Sequence, residues 1–365
     1  MGAVRGRRQG RLVLAGAAAA LALLVAVYPR PPLPFVLPAP APEGTAARAG
    51  FALFALGDTG ARRAFPSLRA GQLAVARGLV SEDLRQPADA LLLLGDNFYP
   101  DGLVEGELVE RIRENLVRPY CRFVDLSAAR SGEVAGACGL EPGLRRPLPL
   151  HAVLGNHDHD SPESPELERA AIPRYVANWR LAQGLVELRE LEPGLSLVLV
   201  DSSSLEGEEQ RAPLRDALRR AAGPWRILAS HHPLAAGGRA EGEARAALMR
   251  RAVAEAGVAV QLVLSGHRHN LQAIELEAPP GGLQVIAGGG ARIQPLEDDY
   301  RGLRFALART GFARVERQSP AGGEVLVVTL YATPRYPVVF WRAAEPVARF
   351  AVDRLGGVRR EALRR

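Results

Sequence analysis

The chain has 365 residues, 47% of them hydrophobic, enough for one large domain or two small ones. Its 46 basic and 40 acidic residues give a net charge of +6, but every basic residue is arginine and the arginines are spread along the chain. No basic run is interleaved with aromatics, so no nucleic-acid partner is expected and the charge reads as a bias of the whole composition.

At the N-terminus, Arg5, Arg7, Arg8 and Arg11 precede an apolar run from Leu12 to Tyr28. Basic residues before such a run and few after it predict a cytoplasmic N-terminus with everything downstream exported. The run lies between a signal-peptide core and a full membrane span of about 20 residues. Val25-Ala26-Val27-Tyr28-Pro29 is a poor cleavage context. Residues 1–28 are therefore expected to be a signal anchor, with a cleaved signal peptide as the alternative, and 29–50 a Pro-rich linker. The remainder would then sit in the periplasm or another extracytoplasmic space, tethered to the cytoplasmic membrane.

From Phe51 onward short apolar runs alternate with amphipathic stretches, the rhythm of an α/β fold. Strands are expected at Phe51–Leu56, Ala90–Leu94, Leu150–Leu154, Leu195–Val200, Arg226–Ala229 and Gln261–Leu264. Most are apolar throughout, as strands covered on both faces should be. Helices are expected at Leu68–Leu84, Leu103–Val117, Leu167–Leu181, Gln210–Ala222 and Glu241–Ala256, with a surface loop at Gly132–Pro149. Cys121 and Cys138 could close a loop by a disulfide in an exported protein, or be two unrelated small core residues. The last third reads as antiparallel β: Leu283–Ala287, Gly311–Arg317, Glu324–Tyr331 and Pro337–Trp341. One domain is expected over 51–345, followed by a basic tail, 346–365, with a frayed helix at Arg354–Arg365.

The residues that follow the strands carry the chemistry. They read Gly57-Asp58-Thr59-Gly60, Gly95-Asp96-Asn97-Phe98-Tyr99, Gly155-Asn156-His157-Asp158-His159, Ser230-His231-His232-Pro233 and Ser265-Gly266-His267-Arg268-His269. In open α/β sheets ligands bind beyond the carboxyl ends of the strands. Five such ends, each offering a carboxylate, amide oxygen or imidazole, are thus expected to converge. Oxygen donors mixed with imidazoles suit Fe, Mn, Zn or a mixed pair, and the absence of thiolates argues against a closed structural zinc site. Seven candidate donors are too many for one ion, and a carboxylate such as Asp96 can bridge two ions about 3.5–4 Å apart. Six of the seven histidines lie in these motifs; His151 alone lies outside.

The order Asp58, Gly-Asp-Asn-x-Tyr, Gly-Asn-His-Asp, His-His-Pro and Gly-His-x-His resembles the calcineurin-like metallophosphoesterases, and most closely their purple, tartrate-resistant acid phosphatase branch. Ile286-Ala287-Gly288-Gly289-Gly290 and Gly311-Phe312-Ala313 are similar to that branch as well. The resemblance implies a four-layer α-β-β-α sandwich of two mixed sheets. It implies that Asp58, Tyr99 and His269 bind Fe(III), that Asn156, His231 and His267 bind a divalent Fe, Zn or Mn, and that Asp96 bridges the two. The activity implied is hydrolysis of a small phosphomonoester by in-line attack of a metal-bound hydroxide. His157 would be the catalytic group, protonating the leaving oxygen, with Asp158 orienting its other nitrogen. Alternatives are a phosphodiesterase or nucleotidase with the same metals, and a membrane-tethered, non-catalytic binding protein on a phosphatase fold. The chain departs from mammalian members in the loop 234–242, which has no histidine near the phosphate position. Proton donation then rests on His157, or on His159 or His232 by a changed geometry, and Arg239 is either a phosphate contact or a solvated loop arginine.

Overall fold

The computed structural model describes residues 50–61, 66–236, 243–278, 281–296, 301–320, 322–334 and 343–363. The expected N-terminal segment and linker, Arg239 and the expected strand Pro337–Trp341 lie outside the described residues. Among those described, no helix is long and apolar enough to cross a membrane.

The strands are β1 (Ala52–Leu56), β2 (Ala90–Leu94), β3 (Leu150–Val153), β4 (Trp179–Leu181), β5 (Val186–Glu192), β6 (Leu195–Val200), β7 (Trp225–Ser230), β8 (Leu262–Ser265), β9 (Leu271–Glu275), β10 (Leu283–Ala287), β11 (Leu303–Leu307), β12 (Gly311–Gln318), β13 (Val325–Ala332), β14 (Glu345–Val352) and β15 (Val358–Arg360). They form two mixed sheets, ordered β15-β14-β13-β12-β1-β2-β3-β4 and β11-β9-β10-β8-β7-β6-β5. Alternate side chains of each strand serve opposite faces. Leu53, Ala55, Leu92 and Leu94 of the first sheet share one buried cluster with Leu197, Leu199, Ile227 and Leu264 of the second. The opposite face of the second sheet, with Val198, Val200 and Leu228, is covered by Leu214 and Leu218 and by Met249 and Val253. These come from two of the three long helices among the described residues, α1 (Pro66–Arg85), α2 (Arg211–Arg220) and α3 (Glu243–Ala256). In α2 the buried positions Leu214, Ala217 and Leu218 follow the three- and four-residue spacing of one helix face. On the outer face of the first sheet Phe54 meets Phe312 edge-on at 5.6 Å and Phe312 stacks on Tyr331 at 5.0 Å. Helix α1 lies over them, its Glu82 accepting a 2.8 Å hydrogen bond from Tyr331 Oη. The result is the four-layer sandwich expected.

Register places the chemistry. Leu56 pairs with Leu93 and Leu94 with Val153, while Val200 pairs with Ser230 and Ser230 with Ser265, all in parallel. The carboxyl ends of β1, β2 and β3 in one sheet, and of β6, β7 and β8 in the other, therefore end level.

Several local expectations are corrected. Leu167–Leu181 is not one helix: short helical turns run from Ser164 to Arg174 and Trp179–Leu181 forms β4, an edge strand. Pro173 lacks a backbone donor, and the helical run ends one residue after it, at Arg174. The described part of Arg354–Arg365, up to Leu363, is not a helix. Val358–Arg360 pairs antiparallel with Phe350–Val352, so residues placed in a tail complete the first sheet. Gly132–Pro149 is irregular, as expected, but carries short helical turns at Ser131–Val134, Ala135–Ala137 and Pro142–Leu144. Cys121 and Cys138 are bonded, with Cα atoms 5.2 Å apart, within the ordinary range.

Candidate metal centre

The loops after β1 and β2 are interlocked. Asp58 N donates to Gly95 O (2.9 Å) and Thr59 N to Asp96 O (3.2 Å). Among the described residues, the non-glycine residues with positive φ are Asp58 (60°), Asp96 (52°) and His267 (66°). An L-residue takes that conformation at a cost of order 1–3 kcal/mol, and such strain concentrates at functional sites. Here all three belong to the predicted ligand set. Gly155 is required by packing: a Cβ there would stand 2.2 Å from Asp96 Oδ1.

All seven predicted ligand side chains come together, in two groups around Asp96. In the first, Tyr99 Oη lies 2.9 Å from Asp58 Oδ1, 2.6 Å from Asp96 Oδ2 and 3.1 Å from His269 Nε2. His269 Nε2 is also 3.1 Å from Asp58 Oδ1. In the second, Asn156 Oδ1 lies 3.1 Å from His231 Nε2 and 3.2 Å from His267 Nδ1, the two imidazole nitrogens being 3.3 Å apart. Asp96 spans the groups, its Oδ1 lying 3.4 Å from His231 Nε2. His231 Nδ1 donates to the Leu94 carbonyl (2.9 Å). That bond assigns the tautomer and leaves Nε2 facing the centre.

The charges fit cations. Tyr99 is held well above its ordinary pKa by burial and by the Asp58 and Asp96 carboxylates. Burial alone would raise Asp96; the His231 imidazole and the Tyr99 hydroxyl outweigh it and keep the carboxylate below its usual range. Burial pulls His231 down, but Asp96 and Asp58 raise it overall, while burial and His231 push His267 down to about 3. Donors about 2.1 Å from a shared ion lie about 3 Å apart along the edges of an octahedron, close to the spacings found here. Asp58, Asp96 and His231, all buried, by themselves satisfy the spacing for one ion.

His157 is half-buried and lies against Tyr99, ring centroids 4.6 Å apart. Its Nδ1 meets the Pro100 carbonyl and lies 3.2 Å from Asp160 Oδ2. The expectation that Asp158 orients this ring is corrected. The Asp158 carboxylate points inward and accepts from the backbone N–H groups of Gly155 (2.8 Å), Asn97 (3.0 Å) and Phe98 (3.0 Å). His232 is buried, lies 3.0 Å from Ser202 Oγ through Nδ1, and is pushed well down by burial and by His231. His159 instead faces Asp201, its Nε2 3.1 and 3.0 Å from the two carboxylate oxygens, and that hydrogen bond raises its pKa.

Asp201 was missed, although it follows the apolar strand β6 just as Asp58 follows β1; the same strand-end signature would have found it. It makes a sixth contributing strand end. Its pair with His159 ties the loop after β3 in one sheet to the loop after β6 in the other.

A two-sheet α/β sandwich with oxygen and imidazole donors gathered at level strand ends defines the metallophosphoesterase class. The chain belongs to the calcineurin-like phosphoesterase family, which matches residues 52–271, more than half of its length. No curated protein matches it in sequence. Among solved structures it is similar in fold to GAP50, described as the anchor in the inner membrane complex of Plasmodium. That match has 16% identity and a TM-score of 0.58, covering 82% of this chain and 89% of the other. PhoD is similar at 14% identity and a TM-score of 0.55, covering 89% and 73%. Purple acid phosphatase PPD1 from yellow lupin seeds is similar at 14% identity and a TM-score of 0.52, covering 78% of this chain and 52% of the lupin enzyme.

Proposed function

We propose that the chain is a two-metal hydrolase of small phosphomonoesters, similar to the purple acid phosphatases. The observation that carries this reading is the arrangement of Asp58, Tyr99 and His269 on one side of Asp96 and of Asn156, His231 and His267 on the other. These two groups would hold the two ions, with Asp96 shared and the phenol of Tyr99 favouring Fe(III) on its side. Bound there, the cations would supply Lewis acidity, activating water and neutralising charge on the phosphoryl oxygens.

The chain's own residues do the rest. His157 Nδ1 is committed to the Pro100 carbonyl, so Nε2 is the nitrogen left for the leaving oxygen, and His157 is the proton donor in this reading. The Tyr99 ring against it fixes the imidazole beside the ligand cluster. The anchor suggested by residues 1–28 would place the reaction outside the cytoplasm.

The test is turnover of an aryl phosphate against a bis-aryl phosphate by the metal-loaded full-length protein. Faster monoester hydrolysis is expected. Faster diester hydrolysis would favour the phosphodiesterase reading. The fold shared with an anchor protein of Plasmodium favours a second reading, a membrane-tethered binding protein. Loaded protein that hydrolyses neither substrate at any pH would support it.

A further inference from the structure

Beneath the metal centre lies a buried polar cluster that the proposed chemistry does not use. The Asn97 side chain is its hub. Asn97 Nδ2 donates to the Val153 carbonyl (2.9 Å), to Glu168 Oε2 (3.0 Å) and to Asp158 Oδ2 (3.3 Å), three acceptors for two hydrogens. Asn97 Oδ1 is buried and finds no donor among the described residues. The amide's orientation is therefore set by the two carboxyls and the carbonyl around Nδ2, since reversing it would turn the oxygen toward them. Asn97, Asp158, Ser164 and Glu168 are each at most 1% exposed.

We infer that Glu168 is a positioning residue of the metal centre, which with Asp158 clamps Asn97 and so sets the spacing between the loop bearing Asp96 and Tyr99 and the loop bearing Asn156. This rests on the reading of those residues as metal ligands. The links are direct. Asn97 adjoins Asp96 in the chain, and its backbone N–H and that of Phe98 are held by Asp158 together with the N–H of Gly155, which precedes Asn156. Asp158 alone would hold the two loops through backbone groups. Glu168 adds the tie to a third segment: its Oε1 accepts from Ser164 Oγ (3.4 Å), which itself accepts from Leu103 N (2.8 Å) beyond the Tyr99 loop. The Glu168 carbonyl accepts from Trp179 Nε1 (2.8 Å), fixing the helical turn that carries it against β4.

Energetics favour a positioning role over a stabilising one. Two carboxyls buried side by side cost several kcal/mol of desolvation if charged, and an apolar residue of similar volume would serve stability as well or better. Burial and the Asp158 charge push the Glu168 carboxyl well above the usual range, so a neutral amide of the same shape can replace it. Substitutions that orient ligands from outside the ligand set typically lower metal affinity by about 10- to 100-fold.

The experiment compares full-length wild type with Glu168→Gln, Glu168→Met and Glu168→Asp, each loaded with Zn2+ and dialysed against graded EDTA. Retained zinc is measured by mass spectrometry and folding by circular dichroism. Glu168→Gln keeps an acceptor for Asn97 and should retain zinc as wild type does. Glu168→Met fills the volume without an acceptor, and Glu168→Asp keeps a carboxyl that falls short of Asn97; both should release zinc at roughly tenfold lower EDTA. Folded Met or Asp variants that retain zinc like wild type would overturn the inference, as would a Gln variant that loses it equally. If one of the Met and Asp variants fails to fold, the other decides. Wild type that binds no zinc at all would instead refute the ligand reading on which the inference rests.

Discussion

Gly155→Ala probes how closely the two ligand loops are packed. The added Cβ would lie 2.2 Å from Asp96 Oδ1 and 2.3 Å from Asp96 N, where ordinary contact begins at 3.4 Å. About 1 Å must open between the loops, and close-packed interiors resist such a shift. Overpacking of this kind costs about 1–3 kcal/mol of stability, and a misplacement near 1 Å costs on the order of 10²-fold in turnover. Gly136→Ala is the control, because a Cβ there meets nothing within 4 Å; it should change stability by no more than about 0.5 kcal/mol. The assay pairs urea denaturation of the metal-free proteins with turnover of an aryl phosphate after metal loading. If Gly155→Ala matched Gly136→Ala in both, the interlocking of the loops around Asp96 would be wrong.

Three further outcomes are expected. His157→Ala should lower turnover by about 10²- to 10⁴-fold while both metals remain bound; unchanged turnover would remove His157 as the proton donor. The His159–Asp201 pair should make stability depend on pH. Its hydrogen bond raises the folded pKa of His159, so the stabilisation is fully present below the unfolded value of about 6.5 and is lost as pH rises through the folded value. The stability deficit of metal-free Asp201→Asn should therefore be larger at pH 5.5 than at pH 9 in urea titrations, and an equal deficit would refute the pairing. Replacing both Cys121 and Cys138 by Ser opens a loop with a sequence separation of 17 residues. The loss should be about 3 kcal/mol, read by the same titration, and no loss would mean the bridge constrains nothing in the unfolded chain.

Much of this was legible in the sequence because fully buried strands announce themselves as uninterrupted apolar runs. Ala90–Leu94, Leu195–Val200 and Leu283–Ala287 are found at the expected bounds. The ligand set was legible because parallel strands deliver their following residues to one edge, so order along the chain translated into convergence in space. What failed to show lacks those signals. β5, Val186–Glu192, carries Glu187, Arg189 and Glu190 on a partly exposed edge and reads as polar. The stretch from Leu167 has helical spacing, yet Pro173 and the pairing of Trp179–Leu181 with β3 override that propensity. Asp158 sits beside a predicted catalytic histidine, and adjacency suggested a partnership; the turn at His157–His159 sends the two side chains to different neighbours. Glu168 was silent, since nothing local marks a carboxyl whose partner Asn97 lies 71 residues away.

Metal content with an absorption spectrum, measured on the wild-type protein beside Asp96→Asn and Tyr99→Phe, bears most directly on the proposed centre. The account predicts two ions per chain, a visible phenolate-to-iron band that disappears in Tyr99→Phe, and loss of metal in Asp96→Asn. A colourless protein carrying two zinc or manganese ions would contradict the iron assignment alone. Wild type that retains no more metal than Asp96→Asn would contradict the two-metal centre itself.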